Sequence, residues 1–190
     1  VENDVHVDEK WFYLIMEKGR SPMFPEDELP EIYAQHKNNI LKVMFLCAVC
    51  KPELRPDGSR MKGLIACEPF TMMIDAQRTS KNRVKGTTEE KPIPVTAKVY
   101  RRFMKDLVIP KIRKRLYWKK YEQITIRHDG AKPHDGSKNK DFFARWGQLY
   151  GWNIVFDTQC AQSPDVNILD IGVFSGMHAG QVRRVPYGEL

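Results

Sequence analysis

The stretch Val5–Ile15, VHVDEKWFYLI, limits the possible folds more than any other part of the chain. Extended, it puts Val5, Val7, Trp11, Tyr13 and Ile15 on one face, and Phe12 and Leu14 with His6, Asp8 and Lys10 on the other. A strand apolar on both sides needs cover on both sides, so it belongs in the middle of a sheet. Asp8 is the anomaly in it. A carboxylate there either marks an exposed strand end or is costly to bury unless something positive meets it.

The rest of the chain supplies the layers. Glu17–Asn39, with Pro22, Pro25 and Pro30, is too long for an ordinary turn and reads as an excursion from the sheet. Leu41–Lys51 and Gly63–Pro69 read as strands joined by a hairpin connection over Pro52–Arg60, which contains Asp57-Gly58. Gln77–Lys91 has no apolar periodicity and reads as an exposed basic loop. From Thr96, placed as a cap, the period turns helical through Val99, Tyr100, Phe103, Met104, Leu107 and Val108, and Pro110 is expected to end or kink that helix. Gln123–Arg127 is a strand that stops at His128-Asp129-Gly130. A helix follows with Phe142, Phe143, Trp146, Leu149 and Tyr150 on one stripe, then a short strand, Asn153–Asp157. Ser163-Pro164-Asp165 opens a last helix striped by Val166, Leu169, Val173, Phe174 and Met177. Strands alternating with helices in this way make an α/β domain: a mixed central sheet with helices packed on its faces.

Charge and cysteine usage narrow the class. Lys and Arg outnumber Asp and Glu by 31 to 24, a net charge of +7 that favours an acidic partner, nucleic acid first. No apolar run reaches the roughly 20 residues that span a bilayer, so no membrane partner is expected. The chain opens on Val1, already entering a strand, which reads as a piece of something longer. Cys47 and Cys50 have the spacing of a zinc or redox pair, but on a strand they point to opposite faces, and no second pair stands at zinc spacing. With Cys67 and Cys160 they read as reduced, structural thiols.

Asp129 stands where an apolar strand stops, and alone it is a turn signal. Asp170 follows Leu169 and precedes Val173 and Phe174, so it is expected to point into the apolar stripe and to need a Lys, an Arg or a metal. Asp165 sits where an acid caps a helix. Acids from a central strand, a strand end and a late helix can converge on one point, and hard oxygen ligands suit Mg²⁺ or Mn²⁺.

These residues carry a resemblance. VDEKWFYL, HDGAKPH and SPDVNILDIGVF resemble the three catalytic signatures of mariner-type transposases, with KVMFLCAV, QRTSKNRVKGT, KPIPVTAKVYRRFM and VIPKIRKR between them. The separations are 129 − 8 = 121 and 170 − 129 = 41, and the second resembles the plant-type branch more than animal mariners. The resemblance implies an RNase H-like catalytic domain over 1–177, with a tail over 178–190. Asp8, Asp129 and Asp170 would be its catalytic, two-metal Asp–Asp–Asp set. It implies cut-and-paste transposition in the nucleus, with transposon ends and target DNA as partners. It also implies a homodimer clamped through the 17–39 insertion. The family's helix-turn-helix modules find no counterpart in this chain.

Arg78, Lys81, Arg83, Lys111, Arg113 and Lys114 offer either a solvated face or phosphate contacts. His128, Lys132 and His134 flank the acids as phosphate contacts or as turn and surface residues. Two features depart from the family: Gly130 replaces the usual Asn, and Gly176, Gly180 and Pro186 work against a continued last helix. They support a rival expectation, an inactive relic kept as a basic DNA-binding or protein-interaction module.

Overall fold

The computed structural model describes residues 3–13, 42–81, 83–129, 137–158 and 167–184. The 17–39 insertion, Leu14, Ile15, Gly130, Lys132, His134, Cys160, Asp165, Val166 and Pro186 lie outside these residues.

Nine strands and four α-helices are described. The strands are β1 (Asp4–Tyr13), β2 (Lys42–Cys50), β3 (Glu53–Leu54), β4 (Arg60–Met61), β5 (Leu64–Pro69), β6 (Thr71–Asp75), β7 (Thr88–Pro92), β8 (Gln123–His128) and β9 (Asn153–Thr158). The helices are α1 (Ala97–Phe103), α2 (Ile109–Arg115), α3 (Ser137–Gly147) and α4 (Phe174–Arg184). Five strands form the main sheet in the order β5-β2-β1-β8-β9, so β1 is its middle strand, as its two apolar faces require. β1 pairs antiparallel with β2 and parallel with β8, β8 pairs parallel with β9, and β2 pairs antiparallel with β5.

The two faces of the sheet are covered unequally. Val5, Val7, Leu46, Ala48, Ile124, Ile126 and Ile154 pack against Tyr100, Phe103, Ile109, Ile112 and Phe143 from α1, α2 and α3 in the main core. Gly147 lets α3 approach β9, since a Cβ there would lie 2.0 Å from the Ile154 carbonyl oxygen. On the opposite face a smaller cluster joins Phe12, Cys47 and Val49 to Leu169 and Phe174 at the start of α4.

Several expectations need correcting. The helix does not end at Pro110: a π-helical turn over Met104–Val108 runs directly into α2, and Pro110 stands just past that wider turn, where the altered backbone pairing accommodates a residue with no N–H. Thr96 does cap α1, its hydroxyl accepting the Val99 N–H at 3.3 Å. The end of the expected loop, Thr88–Pro92, is strand β7 paired with β6, held by cross-strand bonds such as Thr88 to Asp75 that an apolar-periodicity reading overlooks. Tyr150 leaves its helical stripe: φ is +61° and the ring is exposed, because a 3₁₀ turn over Leu149–Gly151 ends the helix. The last helix runs through Gly176 and Gly180 to Arg184. Burial of Phe174 and Met177 in the small cluster offsets the helix cost of about 1 kcal/mol per glycine.

Candidate active site

Two acids are set by strand register. The parallel pairs Asp4↔Thr125, Val5↔Ile126 and His6↔Arg127 share an offset of 121, the number separating Asp8 from Asp129. The same offset brings Asp129, one residue past the end of β8, level with Asp8, two steps beyond the last paired residues. Burial, then the charges of Glu9, Asp129 and Asp8, push the Tyr100 hydroxyl well above its ordinary range, so one buried ring senses acids from both strands.

The third acid arrives through a residue the sequence reading missed. Asn167 is buried, and its side-chain oxygen accepts the Leu169 N–H at 3.1 Å, which fixes the direction of the amide. Its Nδ2 then donates to Asp8 Oδ2 at 2.6 Å and to Asp170 Oδ2 at 3.0 Å. One donor therefore holds two carboxylates that would otherwise repel each other. The available signal was a lone polar residue three positions before an acid, which shares a helix face with it.

Asp170 does not sit in the apolar stripe as expected. Its side chain is 39% exposed, and Lys10 Nζ lies 3.5 Å from Asp170 Oδ1. The cause is a π-helical turn over Leu169–Val173, closed by the Phe174 N–H on the Leu169 carbonyl. The wider turn keeps Leu169 and Phe174 in the cluster while Asp170 stays at the surface. The buried cost falls on Asp8 instead. Desolvation raises its carboxyl to about 6, and the charges of Asp170 and Glu9 add to this; the Glu9 N–H at 2.7 Å and Asn167 oppose it.

A desolvated carboxylate facing a second one has much to gain from a cation, and hard oxygens are the donors that Mg²⁺ and Mn²⁺ take. The Asp8–Asp170 pair fits such an ion. Among the described residues, no three His, Cys, Asp or Glu side chains are grouped closely enough to hold a metal, so Asp129 shares the register without joining a three-acid cluster.

The other sequence-predicted residues scatter. His128 points to the opposite face, buried beside Phe143 and Phe156, with Nδ1 2.8 Å from the Asp129 carbonyl oxygen; in this geometry it is a core histidine and does not offer a phosphate contact. Lys111 pairs with Glu68, and Arg113 donates to the Trp146 carbonyl at 2.6 Å, so both are engaged inside the fold. Arg83 pairs with Glu89. Arg78, Lys81 and Lys114 are exposed. Cys47 and Cys50 face opposite sides of β2, as strand alternation requires. No described helix is long and apolar enough to cross a membrane.

No family profile matches the chain, and no curated protein does. Solved structures do match. A pre-cleavage Mos1 transpososome aligns with 16% identity and a TM-score of 0.58, over 95% of this chain and 43% of that one. The catalytic domain of Mos1 mariner transposase aligns with 16% identity and a TM-score of 0.54, over 96% of this chain and 62% of that one. A Mos1 mariner paired end complex with Mn aligns with 18% identity and a TM-score of 0.56, over 95% and 42%. This chain spans less than two thirds of each. At such identities the likeness establishes the fold, and the chain has the RNase H-like α/β fold with helices on both faces of its sheet.

Proposed function

We propose that this chain is the catalytic core of a mariner-like cut-and-paste transposase, acting on transposon ends and target DNA in the nucleus. The observation that carries the reading is the Asn167 bridge, which brings Asp8 from the middle strand and Asp170 from the last helix onto one donor. The likeness in fold to Mos1 mariner catalytic domains and DNA complexes supports it, and the separation of 41 residues between the last two acids favours the plant-type branch.

In this reading Asp8 and Asp170 would hold Mg²⁺ or Mn²⁺, a pair of ions in all, once Asp129 closes on them from the end of β8. The chemistry such a pair supplies is activation of water and stabilisation of the leaving oxygen of a phosphodiester. Asn167 keeps Asp8 and Asp170 facing each other, and Lys10 neutralises Asp170. Hydrolysis frees a 3′-hydroxyl, which then attacks target DNA. Arg78, Lys81 and Lys114 contribute sequence-independent phosphate contacts, and the 17–39 insertion joins two copies.

The test is nicking of supercoiled DNA with Mn²⁺ or Mg²⁺ and with EDTA. Metal-dependent nicking that is lost in Asp8→Asn and in Asp129→Asn, with the fold retained, is the expected result. Equal activity in both variants and the parent would sink the assignment. One observation favours the rival reading of an inactive DNA-binding relic: Asp170 already has a cation in Lys10. Absence of any Mn²⁺-induced thermal shift in the parent protein would decide for the relic.

A further inference from the structure

Cys47 has a thiol partner that the Cys47-x-x-Cys50 spacing conceals. Cys47 and Cys67 face each other in the antiparallel register of β2 and β5, both free, with their Sγ atoms 3.1 Å apart. Cys50 points the other way and donates weakly to the Gly63 carbonyl. The pair lies on the same face as Asp8, which is Cys47's neighbour in the β1–β2 register, and beneath the small cluster that holds Leu169.

The two thiols differ in access. Cys47 is fully buried, whereas Cys67 is half-buried on β5, an edge strand of the main sheet. We propose that Cys47 and Cys67 form an oxidisable dithiol site that closes to a disulfide on reaction with a small-molecule disulfide.

In the first step the Cys67 thiolate attacks one sulfur of the reagent, forming a mixed disulfide and releasing one thiolate. In the second, Cys47 Sγ attacks Cys67 Sγ, loses its proton and expels the second reagent thiol. Two protein thiols and one reagent disulfide become one protein disulfide and two reagent thiols. Cys67, the more accessible thiol, is the attacker, and the buried Cys47, already in contact with it, is the resolver. The sulfurs need approach by only about 1 Å to reach bonding distance. The product ties the edge strand to its neighbour directly beside Asp8.

The experiment is treatment of the folded chain with oxidised glutathione, followed by alkylation and peptide mapping without reductant. A Cys47–Cys67 linked peptide, reversed by dithiothreitol and retained in Cys50→Ser and Cys160→Ser, is the expected result. In Cys47→Ala the glutathione adduct at Cys67 should accumulate about tenfold or more above the parent, because the contacting thiol no longer resolves it. A stable Cys67 adduct in the parent, both thiols left free, a link to Cys50 or Cys160, or closure only after unfolding would each overturn the proposal. Near-ultraviolet circular dichroism of each variant establishes that it is folded before treatment.

Discussion

The two faces of the main sheet carry different burdens. Under α1, α2 and α3 the core is broad and almost wholly apolar, and it accounts for most of the largest fully buried side chains, Tyr100, Phe143, Ile109 and Ile112 among them. Among the described residues, five buried side chains make the smaller cluster on the other face, and Asp4, His6 and Asp8 line the same side of β1. There the neighbours are ionic: Arg127 binds Asp4 and Asp157, and burial lowers the His6 pKa despite Asp4 nearby. A sheet anchored firmly on one side can hold costly carboxylates on the other. Among the described residues, most apolar burial lies on the thick face, and the bridged carboxylates lie on the thin one.

The largest expected effect tests the thick face. Phe143→Ala removes a ring stacked on Phe156 at 4.1 Å and should cost about 3–5 kcal/mol in urea unfolding, with Phe174→Ala on the thin face at the lower end of that range. Equal losses at the two sites would erase the contrast.

The next effect has the opposite sign. Asp8 has a folded-state pKa of about 6 against an ordinary 3.8, so its protonated form favours folding. That contribution is complete below about pH 4 and is lost as pH rises through about 6. Asp8→Asn should therefore stabilise the metal-free protein at pH 7.5 by up to about 3 kcal/mol, and the gain should vanish near pH 4. Thermal melts in EDTA across this range are the measurement, and a pH-independent gain would show that desolvation of the charge is not the cause.

A smaller loss is expected at the bridge. Asn167→Ala leaves two carboxylates without their shared donor and should cost about 1–3 kcal/mol at pH 7.5. The smallest effect belongs to Lys10→Ala, under about 1 kcal/mol, because its pair with Asp170 is largely exposed. A larger loss in the same melts would mean that Lys10 supports the thin face rather than decorating it.

Much of this architecture was legible in the chain. The double apolar face of β1 called for a middle strand, and the Thr96 cap and the stripe from Val99 to Val108 called for a helix on the sheet; both are present. The site was legible only in part. The helical period puts Asp170 in an apolar stripe, yet it is exposed beside Lys10, while the desolvated acid is Asp8. The helical period assumes 3.6 residues per turn, and the π turn over Leu169–Val173 departs from it. Asn167 carries no sequence signal for its role as a bridge, because one of its two partners, Asp8, is 159 positions away.

The alternation of strands and helices, the central place of β1 and the facing of Cys47 and Cys50 follow from local periodicity and the need to hide apolar surface. Which distant groups meet is a matter of tertiary contacts: Asn167 between Asp8 and Asp170, Lys10 on Asp170, and Cys67 against Cys47. Register and packing between distant segments fix those contacts, and neither is written in the spacing of residues along one segment.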